Sequence, residues 1–73
     1  MTNYRLRYSY KVHNQGDIIN STYYFALKYE DDPTAISKAN DYLDFLYRIG
    51  KVVQKYELHK VESPKDKTTI IKT

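Results

Sequence analysis

The feature that most constrains this chain is a strict alternation of apolar and polar residues near its start. From Tyr4 to His13 every second residue is apolar, and the residues between them are basic or hydroxyl-bearing. Successive side chains of a β-strand point to opposite faces of a sheet, so the pattern predicts a strand with one buried and one solvent-facing side. The apolar side of this strand comprises Tyr4, Leu6, Tyr8, Tyr10 and Val12.

A second alternating run follows a short polar cluster. The cluster Asn14-Gln15-Gly16-Asp17 is rich in turn-forming residues, and Gly16 is suited to a positive φ. Two alternating runs around a short glycine-containing loop predict a β-hairpin. The second run extends to Glu30, and its expected core side comprises Ile19, Ser21, Tyr23, Phe25, Leu27 and Tyr29.

The acidic segment that ends in Pro33 predicts the start of a helix. Asp32 is suited to the capping position and Pro33 to the first helical position. Apolar residues between positions 35 and 49 then recur at helical spacing on one stripe, and Gly50 suits a left-handed helix end. Phe45 and Tyr47 lie on the flanks of this stripe, and the pattern leaves their exposure open.

A third extended run spans residues 52–61, with weaker alternation. The order strand, strand, helix, strand predicts an α+β fold of the ββαβ type over residues 1–62, a single domain. We expect a three-stranded antiparallel sheet in the order 2-1-3 with one helix packed on one face. A break at residues 63–67 leaves residues 63–73 as either a flexible tail or a short extra edge strand.

The charge is distributed unevenly along the chain. The 73 residues have a net charge of +3, but both ends are basic and the middle is acidic. The predicted sheet brings the two basic ends together on the face away from the helix, while the helix back is acidic. The partner-binding candidates that this places on the sheet face are Arg5, Arg7, Lys11, Tyr24, Lys28, Lys55 and His59.

Two interpretations compete for this face. An antiparallel sheet often keeps one solvated side, and basic side chains cover such a side well. Basic residues beside an aromatic residue on an open sheet are also typical of small nucleic-acid-binding modules. Base stacking usually needs two or three exposed aromatic residues, whereas only Tyr24 is a clear candidate here.

Motifs for catalysis, metals or cofactors are not found in the sequence. The chain has two glycines and no phosphate-binding loop, and it has no cysteine for a disulfide or thiolate site. His13 and His59 are expected at opposite ends of the sheet, which argues against a shared metal. We therefore expect no catalytic residue, no metal, no cofactor and no enzymatic activity. The surviving enzyme hypothesis, ranked third, is a small ribonuclease that uses His59, Arg5, Arg7 and Tyr24.

The location is expected to be the cytoplasm. No apolar run approaches the roughly 18 residues that cross a bilayer. The first residues pass directly into the alternating strand, without the apolar stretch of a signal peptide. We therefore expect no membrane partner.

In composition and length the chain resembles the small accessory proteins of phages and other mobile elements. The segments that carry this resemblance are 4–10, 22–27 and 36–50, in a short, cysteine-free chain rich in Lys, Asn, Tyr and Ile. The resemblance implies a hairpin–helix–strand fold and a task performed by binding a host protein, in the host cytoplasm if the protein is phage-encoded.

The leading hypothesis is a small, non-enzymatic protein-binding modulator, such as a phage-type inhibitor of a host protein. Its contacts are the basic sheet face or, as a secondary surface, Phe45 and Tyr47. The alternative is a nucleic-acid-binding accessory protein that uses the same sheet face. Strands two and three are the expected sheet edges, so the chain is either a monomer or a homodimer paired through an edge strand.

Overall fold

The chain forms one helix packed on an antiparallel sheet. The computed structural model describes residues 2–62 and 67–73. Its elements are β1 (Asn3–Val12), β2 (Gln15–Tyr24), α1 (Asp32–Arg48), β3 (Lys51–Glu62) and β4 (Lys67–Lys72). The four strands form one sheet in the order β2-β1-β3-β4, and every neighbouring pair is antiparallel. The predicted α+β class, single helix and 2-1-3 core order are therefore confirmed.

The predicted number of strands is wrong, because a fourth strand continues the sheet. β4 pairs with the second half of β3, from Leu58 to Glu62. Its centre, residues 68–71, is a run of β-branched residues that suits a strand, and Ile71 packs against the core. β3 is consequently an edge only in its first half, and the full sheet edges are β2 and β4. Residues 63–66, within the predicted break, lie outside the described residues.

The hairpin turn lies earlier than the predicted cluster at residues 14–17. β1 ends at Val12, which pairs with Gln15, so His13 and Asn14 form a two-residue turn. Both turn residues have positive φ, 50° and 57°, as a tight hairpin with the native strand twist requires. Gly16 also has a positive φ of 80°, and it lies where the register between β1 and β2 shifts.

β2 is shorter than predicted, because its partner strand ends. The Phe25 N–H still donates to the Tyr4 carbonyl at 3.3 Å, but β1 begins only one residue before Tyr4. The chain then leaves the sheet and returns at Tyr29, which exchanges two 2.9 Å backbone hydrogen bonds with Thr2. Leu27, predicted to lie in the core, is exposed in the intervening loop.

The helix start differs from the prediction by one residue. The cap is Asp31, whose side chain accepts a 3.0 Å hydrogen bond from the Thr34 N–H. Asp32 is thereby free to accept a 2.7 Å hydrogen bond from the Tyr4 hydroxyl. This bond ties the first turn of α1 to the central strand of the sheet.

Tyrosine rings fill much of the space between helix and sheet. Tyr42 of α1 stacks on Tyr23 of β2 with ring centroids 3.9 Å apart, and its hydroxyl lies 3.4 Å from that of Tyr8. Burial, with a smaller effect from the Tyr8 hydroxyl, raises the pKa of Tyr42. The fully or nearly buried side chains of the core are Tyr4, Leu6, Tyr8, Tyr10, Ala35, Ala39, Leu46 and Leu58.

The helix covers the sheet unevenly. It packs closely on β3, whereas the first six residues of β2 are all exposed. Val12 and Ile19, which the alternation predicts as core residues, are consequently exposed near the hairpin end. The β2 side of the sheet is therefore the less covered side.

Candidate functional site: the open sheet face

The open sheet face is the side of the sheet that points away from α1. Residues paired across antiparallel strands point to the same side, and they alternate with pairs such as Leu6–Leu58 that point toward the helix. Three rows of paired residues cross the open sheet face. They are Tyr24–Arg5–His59–Ile70, Thr22–Arg7–Glu57 and Asn20–Ser9–Lys55.

The first row contains a buried histidine with both ring nitrogens engaged. The Arg5 Nε–H donates to His59 Nδ1 at 3.2 Å, and His59 Nε2 lies 3.0 Å from Glu57 Oε1. A guanidinium only donates, so Nδ1 must accept and the ring proton resides on Nε2, where it donates to Glu57. The imidazole thus connects Arg5 to Glu57.

His59 consequently does not lie where a partner contact is expected. Its exposed fraction is 5%, because Arg5 and Ile70 flank it on the two neighbouring strands. The prediction that His59 presents an accessible side chain is wrong. Both ring nitrogens of this residue, the central one of the ribonuclease hypothesis, have side-chain partners within the protein.

A groove occupies the centre of the open sheet face. It has a volume of about 410 Å³ and runs across β2, β1 and β3. The second and third rows form its walls. Between them lies the row of Tyr8, Ser21 and Tyr56, which belongs to the opposite face, so backbone forms the floor. The lining residues are Arg7, Tyr8, Ser9, Asn20, Ser21, Thr22, Lys55, Tyr56 and Glu57.

The groove presents two cations that form no ion pair within the described parts of the chain. Arg7 and Lys55 are exposed, and neither has a carboxylate within 4.0 Å among residues 2–62 and 67–73. The one carboxylate on the wall, Glu57, is bound by His59. The polar neighbours Ser9 and Asn20 were not singled out by sequence, although they share the alternation phase of Arg7 and that signal was available.

The remaining sheet-face candidates are distributed differently. Tyr24 is 69% exposed at the edge of the sheet, beside Arg5. Lys11 faces the same side by alternation and pairs with Val52. Lys28 lies in the loop after β2, so its predicted place on the sheet face is wrong, because β2 ends at Tyr24.

The secondary candidate surface does not form a single patch. Phe45 and Tyr47 are 51% and 72% exposed, so both are accessible. Residues two positions apart on a helix lie about 200° apart around its axis, so the two side chains point in different directions. The Phe45 ring lies beside the core, with its centroid 6.0 Å from the centroid of the Tyr42 ring.

Apart from Glu57, the groove has no acidic lining residue among those that the structure describes, whereas several acidic side chains lie on the helix. Asp41 and Asp44 are exposed on α1, and Asp44 pairs with Arg48 at 2.9 Å. The described residues contain no group of three or more metal-ligating side chains. No helix within them is long and apolar enough to cross a bilayer.

Comparison with known proteins leaves the function to be inferred from this geometry. No protein-family model, curated protein or solved structure matches the chain. The groove offers a guanidinium, an ammonium, two hydroxyls and an amide. Such a set binds carboxylate or phosphate oxygens through charge-assisted hydrogen bonds.

Proposed function

We propose that this protein is a non-enzymatic binding protein whose open sheet face holds an acidic segment of another protein. The observation that carries the proposal is the central groove, where Arg7 and Lys55 lack ion-pair partners among the described residues. A cation without an internal partner can bind a carboxylate without first breaking an ion pair within the protein.

The neutral groups of the groove suit a polypeptide. Ser9, Asn20 and Thr22 provide hydroxyl and amide groups that both donate and accept hydrogen bonds. A peptide backbone carries both kinds of group, whereas a phosphate only accepts. The groove therefore combines charge selection by Arg7 and Lys55 with hydrogen bonding suited to a main chain.

Two features favour a protein over a nucleic acid. The only clearly exposed aromatic residue on the open sheet face is Tyr24, among the residues that the structure describes, and base stacking platforms use several. The neutral groups of the groove, which both donate and accept hydrogen bonds, also match a peptide main chain better than a phosphate, which only accepts. Because the sequence resembles phage accessory proteins, the expected partner is a host protein. Binding would block or redirect the activity of that host protein.

The proposal is tested by titrating the protein with a short Glu- and Asp-rich peptide, followed by fluorescence anisotropy. The double variant R7E/K55E should lose binding by at least about tenfold, because it places like charges in the interface. The matched control K28E/K38E reverses two exposed lysines outside the sheet face, so the net charge changes equally. Binding that falls equally in both variants would indicate an effect of net charge and would overturn the proposal.

Nucleic-acid binding is the second candidate, favoured by one observation. Tyr24 is exposed directly beside Arg5 on the open sheet face, an arrangement that suits stacking next to a phosphate contact. Titration with single-stranded DNA and RNA at two salt concentrations decides between the two candidates. Tight, strongly salt-dependent binding that Y24A weakens, together with no binding of the acidic peptide, would support nucleic acid instead.

A further inference from the structure

β2 is an edge strand without the usual protection against pairing. It has ten residues, and only β1 lies beside it, so its outer backbone N–H and C=O groups have no partner strand in the described sheet. Edge strands are ordinarily protected by lysine, proline or short length. β2 contains no Lys, Arg or Pro, and its single charged residue is Asp17.

The other edges differ in this respect. β4 has six residues and both begins and ends with lysine. The first half of β3, which β4 leaves uncovered, includes Lys51, Lys55 and Glu57. Within residues 2–62 and 67–73, the uncharged stretch from Ile18 to Tyr24 is therefore the edge best suited to pair with another strand.

We propose that the occupant of this edge is a second copy of the chain, paired through antiparallel β2 strands about a two-fold axis. A two-fold interface brings the same surface patch of both copies together, so a patch with few charges avoids placing many like charges in one interface. Each copy has a net charge of +3, which opposes association through its basic surfaces. β2 supplies a contact from which those charges are absent.

The exposed apolar residues of β2 select a register for the pair. Centring the two-fold axis on Ser21 places Ile18 opposite Tyr24 and Ile19 opposite Tyr23 of the second copy. Ile18 is 55% exposed, and Ile19 and Tyr24 are also exposed large apolar side chains. Cross-strand pairs of β-branched and aromatic residues stabilise a sheet, and this register forms four of them. Asp17 falls outside the regular pairing.

This arrangement has a defined geometry. The two-fold axis is perpendicular to the sheet, so the two four-stranded sheets become one of eight strands with both helices on the same side. The two open sheet faces are then continuous. Each dimer presents two copies of the central groove side by side, and the edge-strand backbone groups of β2 become paired.

Sedimentation equilibrium of the full chain, from micromolar to millimolar concentration, tests the proposal. The mass should rise from 8.7 kDa toward twice that value. I18K should raise the dissociation constant by at least about tenfold, because it removes the Ile18–Tyr24 pairs and charges the interface. The matched control is I70K, since Ile70 is a 52% exposed isoleucine on the other edge strand, and it should have no effect.

Disulfide crosslinking gives a second readout that does not depend on the lysine variants. The chain has no cysteine, so a single introduced thiol reports only on contacts between copies. S21C should crosslink under oxidation, because directly opposed Cα atoms lie about 4.5–5.5 Å apart, within disulfide range. T69C, on β4, should not. A chain that stays monomeric at millimolar concentration, or a dimer that crosslinks through T69C, would overturn the proposal.

Discussion

At the residue scale, the contact between His13 and Gly50 joins the hairpin turn to the end of the helix. The His13 N–H donates to the Gly50 carbonyl at 2.6 Å, and Gly50 has a φ of 88°. A Cβ atom at position 50 would lie 2.5 Å from the His13 ring carbon Cε1, so the imidazole occupies the space that any other residue needs. The backbone conformation therefore favours glycine, and a Cβ atom would also force the exposed His13 ring to move aside.

Replacing the two glycines separates these requirements. Gly16 also has a positive φ, 80°, but a Cβ there meets nothing within 4 Å. G16A should cost about 1 kcal/mol for the left-handed conformation alone. G50A should cost about 0.5–1.5 kcal/mol more, because the exposed His13 ring must leave its present position to admit the Cβ atom. Urea denaturation measures both changes, and H13A in the G50A background should remove most of the difference. Equal losses in G16A and G50A would contradict the close contact.

The Tyr4 phenol predicts how stability responds to alkaline pH. Burial, followed by the hydrogen bond to Asp32, raises the pKa of Tyr4 from 10.0 to about 12. The folded state therefore holds this proton more tightly than the unfolded state. Its contribution to stability is fully present below pH 10 and is lost as the pH rises through about 12.

The measurement compares the free energy of unfolding at pH 9 and pH 11 in the wild type, Y4F and Y24F. Y4F lacks the titrating group, so its stability should fall less steeply between the two pH values. Y24F removes an exposed phenol and serves as the control, with a pH slope like that of the wild type. A Y4F slope equal to that of the wild type would contradict the assignment.

At the element scale, α1 lies close to the sheet because its contact stripe begins with small residues. Ala35 and Ala39 are fully buried one turn apart, and Leu46 continues the stripe toward the helix end. The first half of the helix therefore approaches the strands more closely than larger side chains would allow. The tyrosine rings then fill the wider space toward β2.

A39L should accordingly destabilise the fold. A larger side chain at a buried, close-packed position forces the helix away from the sheet and typically costs about 1–3 kcal/mol. N40L adds the same side chain one residue along, where the helix surface is exposed, and should be close to neutral. Thermal unfolding of both variants checks the difference. Similar melting temperatures would indicate that the helix packs more loosely than the structure implies.

The alternation of β1 predicts all four buried residues of that strand, and it is wrong only at Val12, which is exposed where the helix no longer covers the sheet. Features that depend on a partner element are not predictable in the same way. β2 ends at Tyr24, opposite Arg5 and two residues short of the start of β1, and no local signal marks that point. Similarly, β4 is stabilised by pairing with β3, so a weak local pattern is sufficient for it.

The same distinction applies to the candidate site. Arg7 and Lys55 lie on the open sheet face, as the alternation within their strands predicts. Predicting the groove between them would also require the register of the strands. His59 has the correct phase but is buried, because Arg5 and Ile70 flank it from other strands. Phase alone predicts the face of a residue, whereas its accessibility depends on neighbours that are distant in sequence.

At the scale of the whole molecule, the two faces differ in how their charges are paired. Arg7 and Lys55 are exposed on the open sheet face without an ion pair among the described residues, while the helix carries Asp41 and Asp44 together with Lys38 and Arg48. With principal extents of 38 × 22 × 19 Å, the molecule is small enough for each face to act as one surface. An acidic partner is therefore expected to approach the sheet side, with an association that weakens as salt is added.

The most direct test of this account is the chemical shift mapping of backbone amides by NMR during titration with the Glu- and Asp-rich peptide. The amide resonances of residues 7–9, 20–22 and 55–57, which line the groove, should shift together with one dissociation constant. The amide resonances of α1 around Phe45 and Tyr47 should not shift. Shifts concentrated on α1, or no shifts on the groove strands at saturating peptide, would contradict the central claim that the open sheet face is the binding surface.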